Sequence, residues 1–70
     1  MTEKQLKIKR TMLRSALLGM DFEGQLDELA NVTGIDGGVE TLRKMIADEN
    51  EICVMDIGII GMYLFHTDDS

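Results

Sequence analysis

Few side chains in this chain could carry out covalent or acid–base chemistry, and their spacing limits what they can do. Cys53 is the only cysteine and His66 the only histidine, thirteen residues apart. A nucleophile with its base needs a histidine or lysine within hydrogen-bond reach of a Ser, Thr or Cys, and a catalytic zinc needs about three protein ligands. Neither set can be assembled. Cys53 lies in an apolar run without basic neighbours, the setting of a buried structural thiol rather than a reactive thiolate, and a single thiol makes no internal bridge, which suits a reducing compartment. Asp68 and Asp69 lie in a C-terminal tail, and Asp48 and Glu49 stand with Glu51 at a predicted helix end. A working carboxylate pair needs an enclosing pocket, which a chain of 70 residues scarcely provides. Gly58 and Gly61 make no phosphate-binding pattern. The expectation is a protein that is not an enzyme and uses no cofactor and no metal.

Carboxylates are the abundant polar chemistry. Residues 1–14 hold the bases Lys4, Lys7, Lys9, Arg10 and Arg14 against the single acid Glu3, a net +4. Residues 15–70 hold twelve acids against Arg43 and Lys44, a net −10, and the whole chain carries −6. A body this acidic repels phosphate backbones and attracts cationic proteins over roughly a Debye length of about 8–10 Å. On helical spacing Glu23 and Asp27 are neighbours, as are Asp36 and Glu40, each pair roughly 5–6 Å apart. Asp21, Glu28, Asp48, Glu49 and Glu51 extend the series. Carboxylates held in rows can occupy a site that Lys and Arg have built for nucleic-acid phosphates. An acidic coat that only keeps a small domain in solution is the plainer account of the same charges.

The elements that would hold these acids are punctuated by seven glycines and no proline. Met12, Leu13, Ala16, Leu17 and Met20 recur at helical spacing and predict a helix over Thr11–Met20 that stops near Gly19. Leu6 shares the face of Leu13, so the helix can start near Thr2; the alternation Leu6-Lys7-Ile8-Lys9 also fits a short strand. Asp21 is placed to cap a second helix with a buried stripe of Phe22, Leu26, Leu29 and Val32, ended by Gly34. Asp36 is placed to cap a third, carrying Val39, Leu42, Met45 and Ile46 on one face. Between Glu51 and His66 the β-favouring residues and the two glycines predict a hairpin, with Gly58 in a three-residue loop and Ile52 and Val54 facing the core. His66 would be a partly exposed structural residue at the edge of that sheet. On the return strand either Ile59, Tyr63 and Phe65 or Ile60, Met62 and Leu64 would be buried, and the other apolar set needs a cover. The rival for this stretch is a helix apolar all round, buried between subunits. Met12, Met20, Met45, Met55 and Met62 fall within apolar patterns and read as core, although methionines can also line an adaptable groove.

Residues 25–46, QLDELANVTGIDGGVETLRKMI, resemble the helix-turn-helix unit of DNA-binding proteins. Ala30 stands where that family has a small residue, Gly34 at its turn glycine and Ile35 at its apolar anchor. Val39 and Leu42 stand one step out of the family's register. Asp36, Gly37, Gly38, Glu40 and Thr41 would face the groove, and carboxylates there oppose the counterion release that drives DNA binding. The resemblance thus supports the shape more than the activity. In size, charge and lack of catalytic groups, with the acids of residues 21–51 as carriers, the chain also resembles small acidic bacteriophage proteins that disable host machinery, some of them DNA mimics. That resemblance implies a surface that blocks the nucleic-acid site of a host protein.

Together these readings predict one α+β domain over residues 1–70, with three short helices and a C-terminal β-hairpin, a basic segment 1–14 and an acidic body 15–70, forming a homodimer. The predicted function is inhibition of a basic, nucleic-acid-binding host protein, such as a nucleoid-associated protein of the HU type, a polymerase or a nuclease. Its contact residues would be Asp21, Glu23, Asp27, Glu28, Asp36, Glu40, Asp48, Glu49 and Glu51, and no direct binding to nucleic acid is expected. The alternatives are a small nucleic-acid-binding regulator that uses Lys4–Arg14, and an antitoxin-like or assembly factor. The basic N-terminus lacks a following apolar stretch and cleavage site, and Ile57–Thr67, the longest uncharged run, is about half a membrane span, so a cytoplasmic protein is expected.

Overall fold

The first helix begins at the earlier of its two predicted starts, runs three residues past Gly19, and is the element on which the others pack. In the computed structural model, which describes residues 2–65, α1 spans Glu3–Phe22. A capping box starts it: Thr2 Oγ1 accepts from the Gln5 N–H at 3.1 Å, and Gln5 Oε1 accepts from the Thr2 N–H at 3.1 Å. Twenty residues at about 1.5 Å each give about 30 Å, close to the longest extent of the molecule, 32 Å. The strand option at Leu6–Lys9 is thereby excluded, and Gly19 is passed through rather than used as a stop. A Cβ built at Gly19 meets nothing within 4 Å. Gly19→Ala is therefore expected to raise stability by about 0.5–1 kcal/mol, read as a rise of several degrees in the thermal midpoint, because the glycine pays backbone entropy without a steric return. Gly34→Ala should lower it, since Gly34 sits at φ +64.

Three shorter helices fold back on α1. Helix α2 spans Leu26–Thr33, α3 spans Gly38–Ala47, a 3-10 turn covers Glu49–Glu51, and α4 spans Val54–Phe65. Gly34 ends α2 in the left-handed region, as its position predicts. Gly37 enters α3 at φ +85, and a Cβ there would overlap Thr41 Oγ1, so the position favours glycine. The expected aspartate caps are absent. Asp21 lies inside α1, Gln25 precedes α2 without a side-chain cap, and at α3 it is the Asp36 carbonyl that is used, accepting from the Thr41 hydroxyl at 2.7 Å. Leu13 and Leu17 of α1, Leu26 and Leu29 of α2, Leu42 and Met45 of α3, Ile52, and Ile60 of α4 form the core.

The predicted α+β class is wrong: the described residues contain no strand, and residues 54–65 form a helix instead of the hairpin. Gly58 takes no left-handed turn. The physical reason is that a two-stranded hairpin has no third strand here to pair with and is marginal by itself. As a helix, by contrast, the segment offers Ile57, Ile60 and Leu64 at i, i+3 and i+7 to the core built by α1 and α2. Ile52 is buried as predicted, but Val54 is exposed. Of the methionines expected in the core only Met45 is fully buried; Met20 packs against it, while Met12, Met55 and Met62 are exposed. Cys53 is exposed rather than buried, its thiol donating to Asp56 Oδ2 at 3.1 Å. The expectations for His66, Asp68 and Asp69 lie outside the described residues.

Candidate functional site

The side-chain hydrogen bonds of the described residues join no carboxylate to a lysine or arginine. Of the nine predicted contact acids, eight are exposed and Glu49 is half-buried. The structure divides them into groups. Asp48 and Glu49 have structural work: Asp48 Oδ1 accepts from the Asn50 N–H at 3.0 Å and starts the 3-10 turn, and the Glu49 carboxylate accepts from the Thr11 hydroxyl of α1 at 3.2 Å. Glu51 ends that turn, exposed. Asp36 and Glu40 flank the start of α3, where a helix N-terminus favours negative charge.

The remaining four gather at the corner between α1 and α2. Asp21 is in the last turn of α1, Glu23 is its C-terminal cap, and Asp27 and Glu28 are in the first turn of α2. The corner is tightly built: Gly24 takes φ +71, the Gly24 N–H donates to the Asp21 carbonyl at 3.1 Å, and the Gln25 N–H donates to the Met20 carbonyl at 2.8 Å. Asp27 and Glu28 gain from the α2 dipole. Asp21 and Glu23 do not, because they sit at the negative end of α1 with no basic residue in its last turn, at a cost of about 0.3–1 kcal/mol each. Folding alone gives no reason for that placement.

Between Asp21 and Glu23 stands Phe22, 92% exposed. It was predicted to begin the buried stripe of a helix capped by Asp21. Because α1 continues through Asp21, Phe22 lies nine residues beyond buried Leu13, half a turn out of phase, and points to solvent. Val32 is likewise exposed, whereas Leu26 and Leu29 are buried as predicted. The sequence signal for Phe22 was available in this phase relation, but only to a reading that carried the first helix past Gly19.

The basic segment is less free than its sequence implies. The Arg10 Nε–H donates to the Ile52 carbonyl and the Arg14 Nε–H to the Ile46 carbonyl, each at 2.6 Å. Ile46 is in the last turn of α3, where carbonyls lack helical partners and attract cations. Two of five cations are thereby turned into the fold, while Lys4, Lys7 and Lys9 remain exposed. Leu6, Arg10, Leu13 and Leu17 share one helical spacing, so the sequence did carry the signal that Arg10 faces inward.

Among the described residues no group of three His, Cys, Asp or Glu side chains could hold a metal ion, and no helix is long and apolar enough to cross a membrane. Comparison of the chain with family models, curated proteins and solved structures finds no match.

Proposed function

We propose that the chain is a non-enzymatic inhibitor that binds a basic, nucleic-acid-binding protein through its carboxylates, with the α1–α2 corner as the centre of contact. The observation that carries this reading is Phe22, exposed to solvent and set between Asp21 and Glu23, with Asp27 and Glu28 on the adjoining turn. A single exposed aromatic flanked in the chain by charges of one sign suits an interface anchor: the ring fills an apolar pocket while the charges steer the encounter and select the partner. A purely solubilising surface has no use for an aromatic side chain held in water. The regulator alternative, in which Lys4–Arg14 grips nucleic acid, loses Arg10 and Arg14 to backbone carbonyls and faces a body of net −10.

Competition supplies the test. A nucleoid protein of the HU type bound to labelled duplex DNA serves as the probe. The chain is expected to release the DNA in proportion to its own concentration, and its association should slow as salt rises. The chain alone should not shift the duplex at physiological salt. Micromolar or tighter binding of the chain itself to DNA would reverse the choice in favour of the regulator. A panel of basic DNA-binding proteins that all bind DNA and the chain together, without competition, would remove the mimicry.

A further inference from the structure

Helix α4 carries two apolar stripes where the fold uses one. Ile57, Ile60 and Leu64 face the core. Met55, Gly58, Ile59 and Met62, at i, i+3, i+4 and i+7, form a second stripe that is exposed, with Met55 at 72% and Met62 at 63%. Beside it an open groove of about 970 Å³ runs between α1 and α4, with Ile8 and Met12 on one wall and Val54, Ile57 and Met62 on the other. A helix apolar on all sides is a buried helix in a stable assembly.

We infer that this α1–α4 face is the contact between two copies of the chain, packed α4 against α4 about a two-fold axis. Charge selects the occupant. The only acid of α4 is Asp56, half-buried and accepting from the Cys53 N–H at 3.3 Å and from its thiol, while α1 contributes Lys9 at the groove and no carboxylate there. Elsewhere two copies of a −6 chain would meet acid to acid; here they do not. A basic partner finds no carboxylate to pair with on this face, and an anionic lipid surface is repelled by the rest of the chain. Area agrees: Ile8, Met12, Val54, Met55, Ile59 and Met62, together about half exposed, leave roughly 600 Å² per copy, so a pair buries roughly 1,200 Å², the lower bound of specific stable interfaces. Gly58, whose Cβ position meets nothing within 4 Å, lets the two helices approach closely at the centre of the stripe. The contact would also complete a core of eight buried residues, small for an independent domain.

Sedimentation equilibrium of the full chain from micromolar to millimolar concentration decides the matter. The expected mass is twice 7.8 kDa. Met55→Glu with Met62→Glu should keep the helical circular dichroism, since both positions are exposed, and weaken the dimer at least about 100-fold. Gly58→Leu, a substitution into open space in the single copy, should also weaken it by blocking the close approach. A monomer for the unmodified chain at several hundred micromolar would overturn the inference, as would a monomer that partitions onto anionic vesicles or a dimer that survives both variants.

Discussion

Replacing Ile60 by glutamate is expected to leave the chain unfolded. Ile60 is 0% exposed and belongs to the apolar core of Leu13, Leu17, Leu26 and Leu29, so a carboxylate placed there is removed from water among apolar side chains. Burying an unpaired charge costs several kcal/mol, and a domain of this length has a total stability of only about 3–10 kcal/mol. The loss of the far-UV helical signal at ambient temperature is the measurement. Its control is the neighbouring residue: Ile59→Glu, on the exposed stripe of the same helix, should retain the secondary structure of the single copy. A hairpin would make Ile59 and Ile60 exchange roles with a one-residue slip of register, whereas in the helix they stand about 100° apart, Ile60 buried and Ile59 at the exposed edge. Equal disruption by both substitutions would contradict the packing of α4.

The second large effect concerns the partner. Changing Asp21, Glu23, Asp27 and Glu28 together to their amides, with Phe22→Ala, should reduce competition against the DNA-bound probe by at least about 100-fold. Loss of steering lowers association rates by about 10-fold or more, and loss of a central aromatic anchor costs about 2 kcal/mol or more, a further factor of about 30. All five positions are exposed, and relief at Asp21 and Glu23 offsets the dipole gain lost at Asp27 and Glu28, so the thermal midpoint of the fivefold variant should change little. It should rise slightly for Asp21→Asn and Glu23→Gln, which relieve the negative end of α1. Single amide changes should each cost little. Undiminished competition by the fivefold variant, with its fold intact, would reduce the corner to a solubility coat.

The same corner shows how a local pattern can mislead. Asp21 followed by Phe22 reads as a cap and the first residue of a buried stripe, and Gly19 two residues earlier reads as a stop. Both inferences assume that each glycine costs the helix more than tertiary packing returns. Leu13 and Leu17 already anchor α1 in the core, and one glycine near its end costs at most about 1 kcal/mol, so the helix runs on and Phe22 turns outward. The interior of the chain was easier to read. Leu13, Leu17, Leu26, Leu29, Leu42, Met45 and Ile52 lie on faces that their spacing marks as apolar, and all are buried.

Sequence by itself therefore determined the charge division, the buried positions Leu26 and Leu29 of α2 and Leu42 and Met45 of α3, the turn at Gly34 and the small number of nucleophile and histidine side chains, because each of these depends on composition or on contacts within a few residues. Tertiary structure decided the rest. Residues 54–65 are apolar on every side, so neither a period of two nor one of 3.6 stands out. Their state was settled by the available partners: α1 and α2 offer a surface on which a fourth helix packs, and the described residues contain no strand to extend a hairpin. It likewise decided that Arg10 and Arg14 serve carbonyls at distant chain positions, and that Phe22 stands in solvent, since only long-range packing fixes which side of a helix faces inward.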